Sequence, residues 1–577
     1  MAETPGIAPG KKWLYLLIFC AIPFFINLGA NALWDNNEAW YAEPPREMAE
    51  SGRYLVPTYS GFPRFRKPPL THWIILPFYL LFGVSEFATR LPGAIAVVFT
   101  ILFTYLIGSR LLHRQAGFMA ALILATTPRF FLFGRFFHMD TFLTLFVTAA
   151  VYFFLRASER SETHFPLLGY GITALAVLTK GPIGAVVPLA VLTLAAWGTK
   201  NRGLRRSLSS PAGIAVFILL TLPWYLFMYA EFGGEFLRIH FFLEHLQRYF
   251  TPRLGSKDFT YLFQEWLIGL LPWSLFMLPA VVFVLGRTRE LSKASSNQRF
   301  TLLPSLWFGF VLLFFSLSTG KREVYLMPLY PAMALTVGQY FTGASYLWRR
   351  PYRLAHQAIC ILLTLVLLGL GLLSRQMLLT LDRSPVEASL PLGLSMLLAG
   401  AFAWTLSTDR LDRTGLVLAG TTATLLWTLA LALPLIEPYQ DVKPLALQVR
   451  HQASPSDLVG TYGTHKPSFQ FYLGRRPFHA CGQQEIEKIL HGRRRVFLLA
   501  SAGAFERLTA QTDIPVQILA RGQSLSFRIK YWFDENASPF THKILAVSRP
   551  IDATVWQPDP SRPYLNCRER ARGQDHP

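Results

Sequence analysis

The chain turns on one stretch. It begins Trp34-Asp35-Asn36-Asn37-Glu38, passes Tyr41, Glu43, Arg46 and Glu47, and ends in Arg64-Phe65-Arg66-Lys67-Pro68-Pro69-Leu70 and Trp73. This loop is dense in acids, bases and aromatics, yet it lies between apolar segments in a chain with only 15% charged residues. A polar insert placed just after a first apolar segment is where chemistry at a membrane surface is expected.

On either side of that loop the sequence is that of a polytopic membrane protein. Its 577 residues are 52% hydrophobic, and the apolar runs recur about every 20 residues, the length that crosses a bilayer as a helix. Runs over 13–33, 91–112, 116–133, 141–156, 165–180, 182–198, 211–229, 261–286, 302–318, 324–346, 356–374, 389–407 and 414–436 predict about thirteen spans. Leu70–Gly83 is too short for one and reads as a helix at the interface.

The formal net charge of +21 sits mostly in short connections: Lys11 and Lys12, Arg110 and Arg114, Arg156 and Arg160, then Lys200 to Arg206, Arg287 to Arg299, Arg349 to Arg353, and Arg410 with Arg413. All fall on one face if Leu70–Gly83 does not cross, which makes that face cytoplasmic. The same pattern explains the charge without nucleic acid. The loop, the Gly134–Asp140 turn, Glu231–Thr260, Ser318–Glu323 and everything after Ile436 are then expected outside.

From Glu437 the apolar runs shorten. Leu458–Tyr462, Phe469–Leu473, Val496–Leu499, Val516–Leu519 and Phe527–Trp532 read as strands, and Glu485–Leu490 as a helix. The expected fold is therefore mainly α. It has a transmembrane part over 1–436, interfacial helices in a first outer loop (34–90), and a small α/β domain over 437–577 on the outer, periplasmic side. Cys20 and Cys360 lie in apolar runs, and Cys481 and Cys567 offer a disulfide if the tail is outside.

Chemistry-bearing residues gather on the outer face. Asp35 and Glu38 can act as a general base or hold a metal, and equally can cap a helix starting at Glu38. Asp140 opens an apolar run and is open to the same two readings. Lys67, kept out of a helix by two prolines, suits a lipid phosphate or simply snorkels to the interface. In 231–260, Arg238, His240, Glu244, His245 and Arg248 alternate with aromatics, offering metal ligands beside an arginine or an amphipathic interfacial helix. Lys321, Arg322 and Tyr325 add a basic outer turn.

At these residues the chain resembles the GT-C glycosyltransferases that use polyprenyl-phosphate sugars, most of all the bacterial lipid A aminoarabinose transferases and protein mannosyltransferases. The matching residues are Asn37-Glu38-Ala39-Trp40-Tyr41-Ala42-Glu43 with Arg46-Glu47-Met48, then Lys67-Pro68-Pro69-Leu70 with Trp73, and Arg90-Leu91-Pro92. Asp140-Thr141, Lys180-Gly181-Pro182, Phe242-Leu243-Glu244-His245 with Arg248, and Tyr325 with Pro328-Leu329-Tyr330-Pro331 continue the series in order.

The resemblance implies a multi-pass enzyme of the bacterial inner membrane, acting on the periplasmic side. It would move a sugar from a polyprenyl (undecaprenyl) phosphate to lipid A, a related glycolipid or a protein. The resemblance offers Glu38 and Asp140 as acids for catalysis and Lys67 and Arg248 for the lipid phosphate; Asp35 joins the catalytic candidates, and Tyr41, Arg46, Lys321 and Tyr325 the substrate-binding ones. His245 with Glu244 is its place for a divalent metal. Two positions depart from the family: Asn37 stands where relatives carry aspartate, and Arg66 where aminoarabinose transferases tend to carry an acid. A transporter, the rival reading, predicts charges at mid-membrane and an inverted repeat.

Overall fold

The computed structural model describes residues 11–35, 37–159, 164–251, 257–291, 300–343, 350–380, 384–404, 411–492, 494–511, 516–525 and 540–548. The chain is mainly helical with a small sheet region, and it divides into two compact units. One gathers the described residues of Met1–Ile26, Phe65–Thr71 and Arg90–Leu431, the other those of Asn27–Arg64, His72–Thr89 and Ala432–Pro577.

In the first unit the apolar runs fold as helices. Among the described residues of the chain, 7 helices are long and apolar enough to cross a membrane, or up to 9 if two bent pairs each count as one span. Three more apolar helices, Leu14–Phe24, Leu70–Phe82 and Ile183–Gly198, are shorter. Other apolar runs form helices below that length, among them His164–Lys180 with 17 residues and Tyr330–Gly343 with 14, and some are interrupted.

The run over 13–33 is not one helix. Lys11–Ala21 passes through a 3-10 turn holding Pro23 and stops at Phe24. The run over 116–133 bends by 63° between Arg114–Ala125 and Pro128–Arg135, where Pro128 supplies no backbone donor to the preceding turn. The run over 261–286 turns by 108° between Tyr261–Gly269 and Trp273–Gly286, on either side of Pro272. Buried threonines are tolerated in these helices because their hydroxyls bond back to the carbonyl four residues earlier, as Thr100 does to Ala96 and Thr144 to Asp140.

The segment from Glu231, for which an amphipathic helix was one reading, is helical as far as Phe250. Helix Pro211–Leu237 breaks its dihedrals at Gly233 and runs into a π-helix, Arg238–Gln247, followed by Arg248–Phe250. This changes which side chains meet. In a π segment, bonded i to i+5, residues five apart are stacked, so the α-helical pairing of His240 with Glu244 gives way to His240 beside His245, ring centroids 5.0 Å apart.

The second unit joins the first outer loop to the C-terminal region. Helix Glu38–Ser51 ends at Gly52 in the left-handed region, and a hairpin follows, β1 (Thr58–Tyr59) with β2 (Phe62–Pro63). The C-terminal strands are β3 (Leu458–Tyr462), β4 (Phe478–Ala480), β5 (Val496–Ser501), β6 (Val516–Leu525) and β7 (Phe540–Ser548). They form a mixed sheet in the order β4-β3-β5-β7-β6, with β3 parallel to β4 and β5, and β7 antiparallel to β5 and β6. Ile486, Ile489, Leu498, Phe505 and Ile544 fill one core of this region.

The expected helix is present as Gln483–Leu490. Phe469–Leu473, expected as a strand, lies in helix Pro467–Leu473, because Pro467 opens the first turn and Gly474 closes the last in the left-handed region. Phe527–Trp532 lies outside the described residues. Cys20 and Cys360 are buried and free, and Cys481 is disulfide-bonded; Cys567 is outside the described residues.

Candidate active site

The first unit assembles a cation cluster around one carboxylate. Two prolines hold Lys67 extended ahead of helix Leu70–Phe82, and its Nζ donates to Glu244 Oε1 at 2.8 Å. Arg248, one turn beyond Glu244, donates through Nη1 to the same oxygen at 2.5 Å. Burial pulls the Lys67 ammonium below the ordinary lysine range, while the charge of Glu244 opposes that shift.

The turn after Ser318 presses on this arginine. Thr319 donates its N–H to Tyr249 O at 2.9 Å, and a Cβ on Gly320 would fall 2.7 Å from Arg248 O, so a glycine is required for the approach. Lys321, expected at the site, gives its Nζ to Lys257 O at 3.0 Å.

Asp140 belongs to the same unit. It is 4% exposed, and Lys180 at the end of helix His164–Lys180 donates to its Oδ1. The Lys180 ammonium lies 4.4 Å from the ring centroid of Tyr325, and the Arg248 guanidinium carbon lies 5.9 Å from it. Tyr325 thus stands between the Asp140–Lys180 pair and the Lys67–Glu244–Arg248 cluster, its ring face favourable to both cations. From sequence Lys180 stood only within the Lys180-Gly181-Pro182 match and was given no role; the available signal was a lysine at the end of an apolar run, followed at once by Gly-Pro.

Glu244 and His245 differ as ligands. Glu244 Oε1 is taken by two cations, which compete with any metal for that oxygen. His245 has Nδ1 2.5 Å from His240 O and Nε2 3.2 Å from Lys180 O. His240 is fully buried, with Nδ1 2.7 Å from Phe65 O and no hydrogen-bond partner on Nε2. The orphaned nitrogen of His240 beside His245 fits a metal ion better than Glu244 does.

The remaining expected residues belong to the second unit, where most are tied to the C-terminal region. The Asp35 carboxylate accepts from Lys466 Nζ at 2.7 Å, from Ser468 N at 3.0 Å and from Ser468 Oγ, capping helix Pro467–Leu473 from a distant part of the chain. Arg46 forks onto Glu43 and also reaches Glu50 at 2.6 Å, and Gln470 bonds Glu43 at 2.8 Å. Burial raises the Glu47 carboxyl above the ordinary range, although Thr58 bonds it. Tyr41 lies under Arg64, whose guanidinium carbon is 4.8 Å from the ring centroid. Glu38 is fully buried and its Oε2 accepts from Trp34 N at 3.0 Å.

Residues 66–227 match the family model described as dolichyl-phosphate-mannose-protein mannosyltransferase. An uncharacterised protein of Aquifex aeolicus is 31% identical over 337 residues, covering 58% of this chain and 74% of the relative. The undecaprenyl phosphate-alpha-4-amino-4-deoxy-L-arabinose arabinosyl transferase of Edwardsiella ictaluri is 30% identical over 337 residues, covering 57% of this chain and 59% of that protein. The chain therefore spans about three fifths of the length of that curated transferase. Among solved structures, ArnT from Cupriavidus metallidurans bound to undecaprenyl phosphate superposes with a TM-score of 0.72 at 21% identity, covering 93% of this chain and 98% of that one. The fold is that of ArnT, and within it residues 66–227 carry the match to the mannosyltransferase family model.

Proposed function

We propose that this chain is an integral-membrane glycosyltransferase. It takes a sugar from a polyprenyl (undecaprenyl) phosphate and delivers it to lipid A or a related envelope glycolipid on the periplasmic face of the bacterial inner membrane. The observation that carries this reading is the convergence of Lys67 and Arg248 on one oxygen of Glu244, beside the Asp140–Lys180 pair. The bound lipid of the ArnT structure and the name of the Edwardsiella relative support the donor. In this reading residues 1–436 form the transmembrane catalytic part, with shorter and bent helices completing about thirteen crossings, and residues 437–577 form a periplasmic domain.

The chemistry follows from charge. A sugar phosphodiester with one negative charge leaves as a phosphomonoester with close to two. Lys67 and Arg248, already oriented by Glu244, stabilise that growing charge more than the ground state, which is what accelerates transfer. Asp140 takes the acceptor hydroxyl proton, Lys180 holds its carboxylate in place, and Tyr325 spaces the two centres. Asp35 is committed to Lys466 and Ser468, which leaves Glu38 as the other acid for the base. His240 and His245 would hold a divalent ion, which when bound supplies Lewis-acid stabilisation to a phosphoryl oxygen.

Transfer from a polyprenyl-phosphate sugar by purified protein tests the reading. Lys67→Ala and Asp140→Asn are expected to reduce it by about a hundredfold or more, and full activity in both variants refutes it. The match to the mannosyltransferase model makes a protein hydroxyl the alternative acceptor. Mass spectrometry of envelope glycolipids and proteins, with and without the chain, separates the two.

A further inference from the structure

We infer that the turn beginning at Thr319 is a brace that sets Arg248 for the donor phosphate, with Thr319 and Gly320 as positioning residues that act through that arginine. This rests on the reading above that Arg248 binds a polyprenyl phosphate.

The local fold makes a brace necessary. Arg248 opens the short helix Arg248–Phe250, which gives way to extended backbone at Thr251. The last carbonyls of a helix lack donors from their own segment, and helix ends fray. A side chain carried there holds a fixed aim only if another part of the chain pins the backbone beneath it.

The turn supplies the missing donors. Thr319 gives both its N–H and its Oγ1 to Tyr249 O, at 2.9 and 3.0 Å. Gly320 follows so closely that a Cβ there would fall 2.7 Å from Arg248 O and 3.2 Å from Arg248 Cγ. The glycine thus lies against both the carbonyl and the stem of the arginine.

The brace is anchored on both sides. Helix Leu303–Leu317 leads into it through extended Ser318, and the Phe314 carbonyl of that helix accepts Tyr249 Oη at 3.0 Å, with the two rings 5.3 Å apart. Beyond the turn, Tyr325 packs on Phe315 at 5.3 Å and presents its ring 5.9 Å from the Arg248 guanidinium carbon. Lys321 Nζ donates to Lys257 O at 3.0 Å and Tyr261 Oη to Glu323 Oε2 at 3.4 Å, which ties the same turn to helix Tyr261–Gly269. One continuous segment, Thr319 to Tyr325, therefore meets the arginine at its carbonyl, its stem and its head. Thr319 and Gly320 carry no charge, so their effect on a phosphate passes through the place they give the guanidinium. A displacement of about 1 Å in a positioned group costs up to about a hundredfold.

Binding of undecaprenyl phosphate to the full-length chain in nanodiscs tests this, with undecaprenol as the probe that lacks the phosphate and a melting curve for each variant. Thr319→Val keeps the N–H and loses the hydroxyl, and Thr319→Ser keeps both. We expect Thr319→Val to weaken undecaprenyl phosphate binding about fivefold, Thr319→Ser to stay within about twofold of wild type, and Gly320→Ala to weaken it about tenfold or more. Undecaprenol should bind all of them alike. In an Arg248→Ala background the Thr319 and Gly320 substitutions should have no further effect, because the side chain they act through is gone. If Gly320→Ala does not fold, the Thr319 variants decide alone. Wild-type affinity in folded Thr319→Val and Gly320→Ala overturns the positioning role, as do losses that add in full to that of Arg248→Ala or that are equal for undecaprenol. An Arg248→Ala chain that binds undecaprenyl phosphate as wild type does overturns the phosphate reading itself, and this role with it.

Discussion

Asp35→Asn separates a carboxylate that performs chemistry from one that holds structure. The Asp35 side chain is 16% exposed and that of Lys466 27%, and the pair is joined by two further donors from Ser468. Asparagine keeps an oxygen for one serine donor and loses the charge. A hydrogen bond to a charged partner contributes about 1.5–3 kcal/mol. Screening at this partial exposure takes that to about 1 kcal/mol, and weakening the helix cap adds up to about 1 kcal/mol.

The substitution should therefore destabilise the second unit by about 1–2 kcal/mol, and Asp35→Ala should cost more. Thermal unfolding followed by tryptophan fluorescence, with limited proteolysis near Pro467, measures the loss. The turnover of the protein that remains folded should stay within a few fold of wild type. An unchanged melting curve together with a hundredfold fall in turnover would refute the structural assignment and return Asp35 to the catalytic set.

Three further outcomes follow from single contacts. Gly181→Ala places a Cβ 2.4 Å from His245 Nε2 in a left-handed backbone, and should cost at least about 1–3 kcal/mol; a wild-type melting curve would contradict this. Burial pushes His465 down to about 4, against an unfolded value near 6.5. Its contribution is complete above the unfolded value and is lost as the pH falls from there toward 4, by about 1.4 kcal/mol per unit. His465→Phe should flatten that part of the stability–pH profile. Lys543 gives Asp441 two contacts of 2.5 and 2.7 Å in a buried pair, so Lys543→Met should destabilise the second unit by about 3–5 kcal/mol, and adding Asp441→Asn should recover part of it in a double-mutant cycle.

Hydropathy made the membrane class legible, and alternation between short apolar runs and polar turns marked the C-terminal sheet region. What escaped was punctuation. The breaks around Pro23, Pro128 and Pro272 and the π segment after Gly233 do not lower the mean apolarity of a window, so the runs looked continuous. Phe469–Leu473 went wrong for a related reason: as an apolar run it suits a strand, and only Pro467 before it and Gly474 after it decide for a helix.

The site divided along the same line. Lys67, Glu244 and Arg248 could be found from sequence because polar groups in an apolar setting stand out. Their division of labour could not, because it depends on which oxygen two cations share. Asp35 was ambiguous for a deeper reason: a carboxylate that caps a helix beginning at Pro467, more than 400 positions later, carries no local signature. His240 was visible in a row of aromatic and polar residues, but its meaning came from helical period. In an α-helix it would pair with Glu244; in the π segment it meets His245, and the carboxylate is released to hold Lys67 and Arg248. A one-residue change of period thus divides one ambiguous cluster in two, a carboxylate shared by Lys67 and Arg248 and an imidazole pair held by backbone carbonyls.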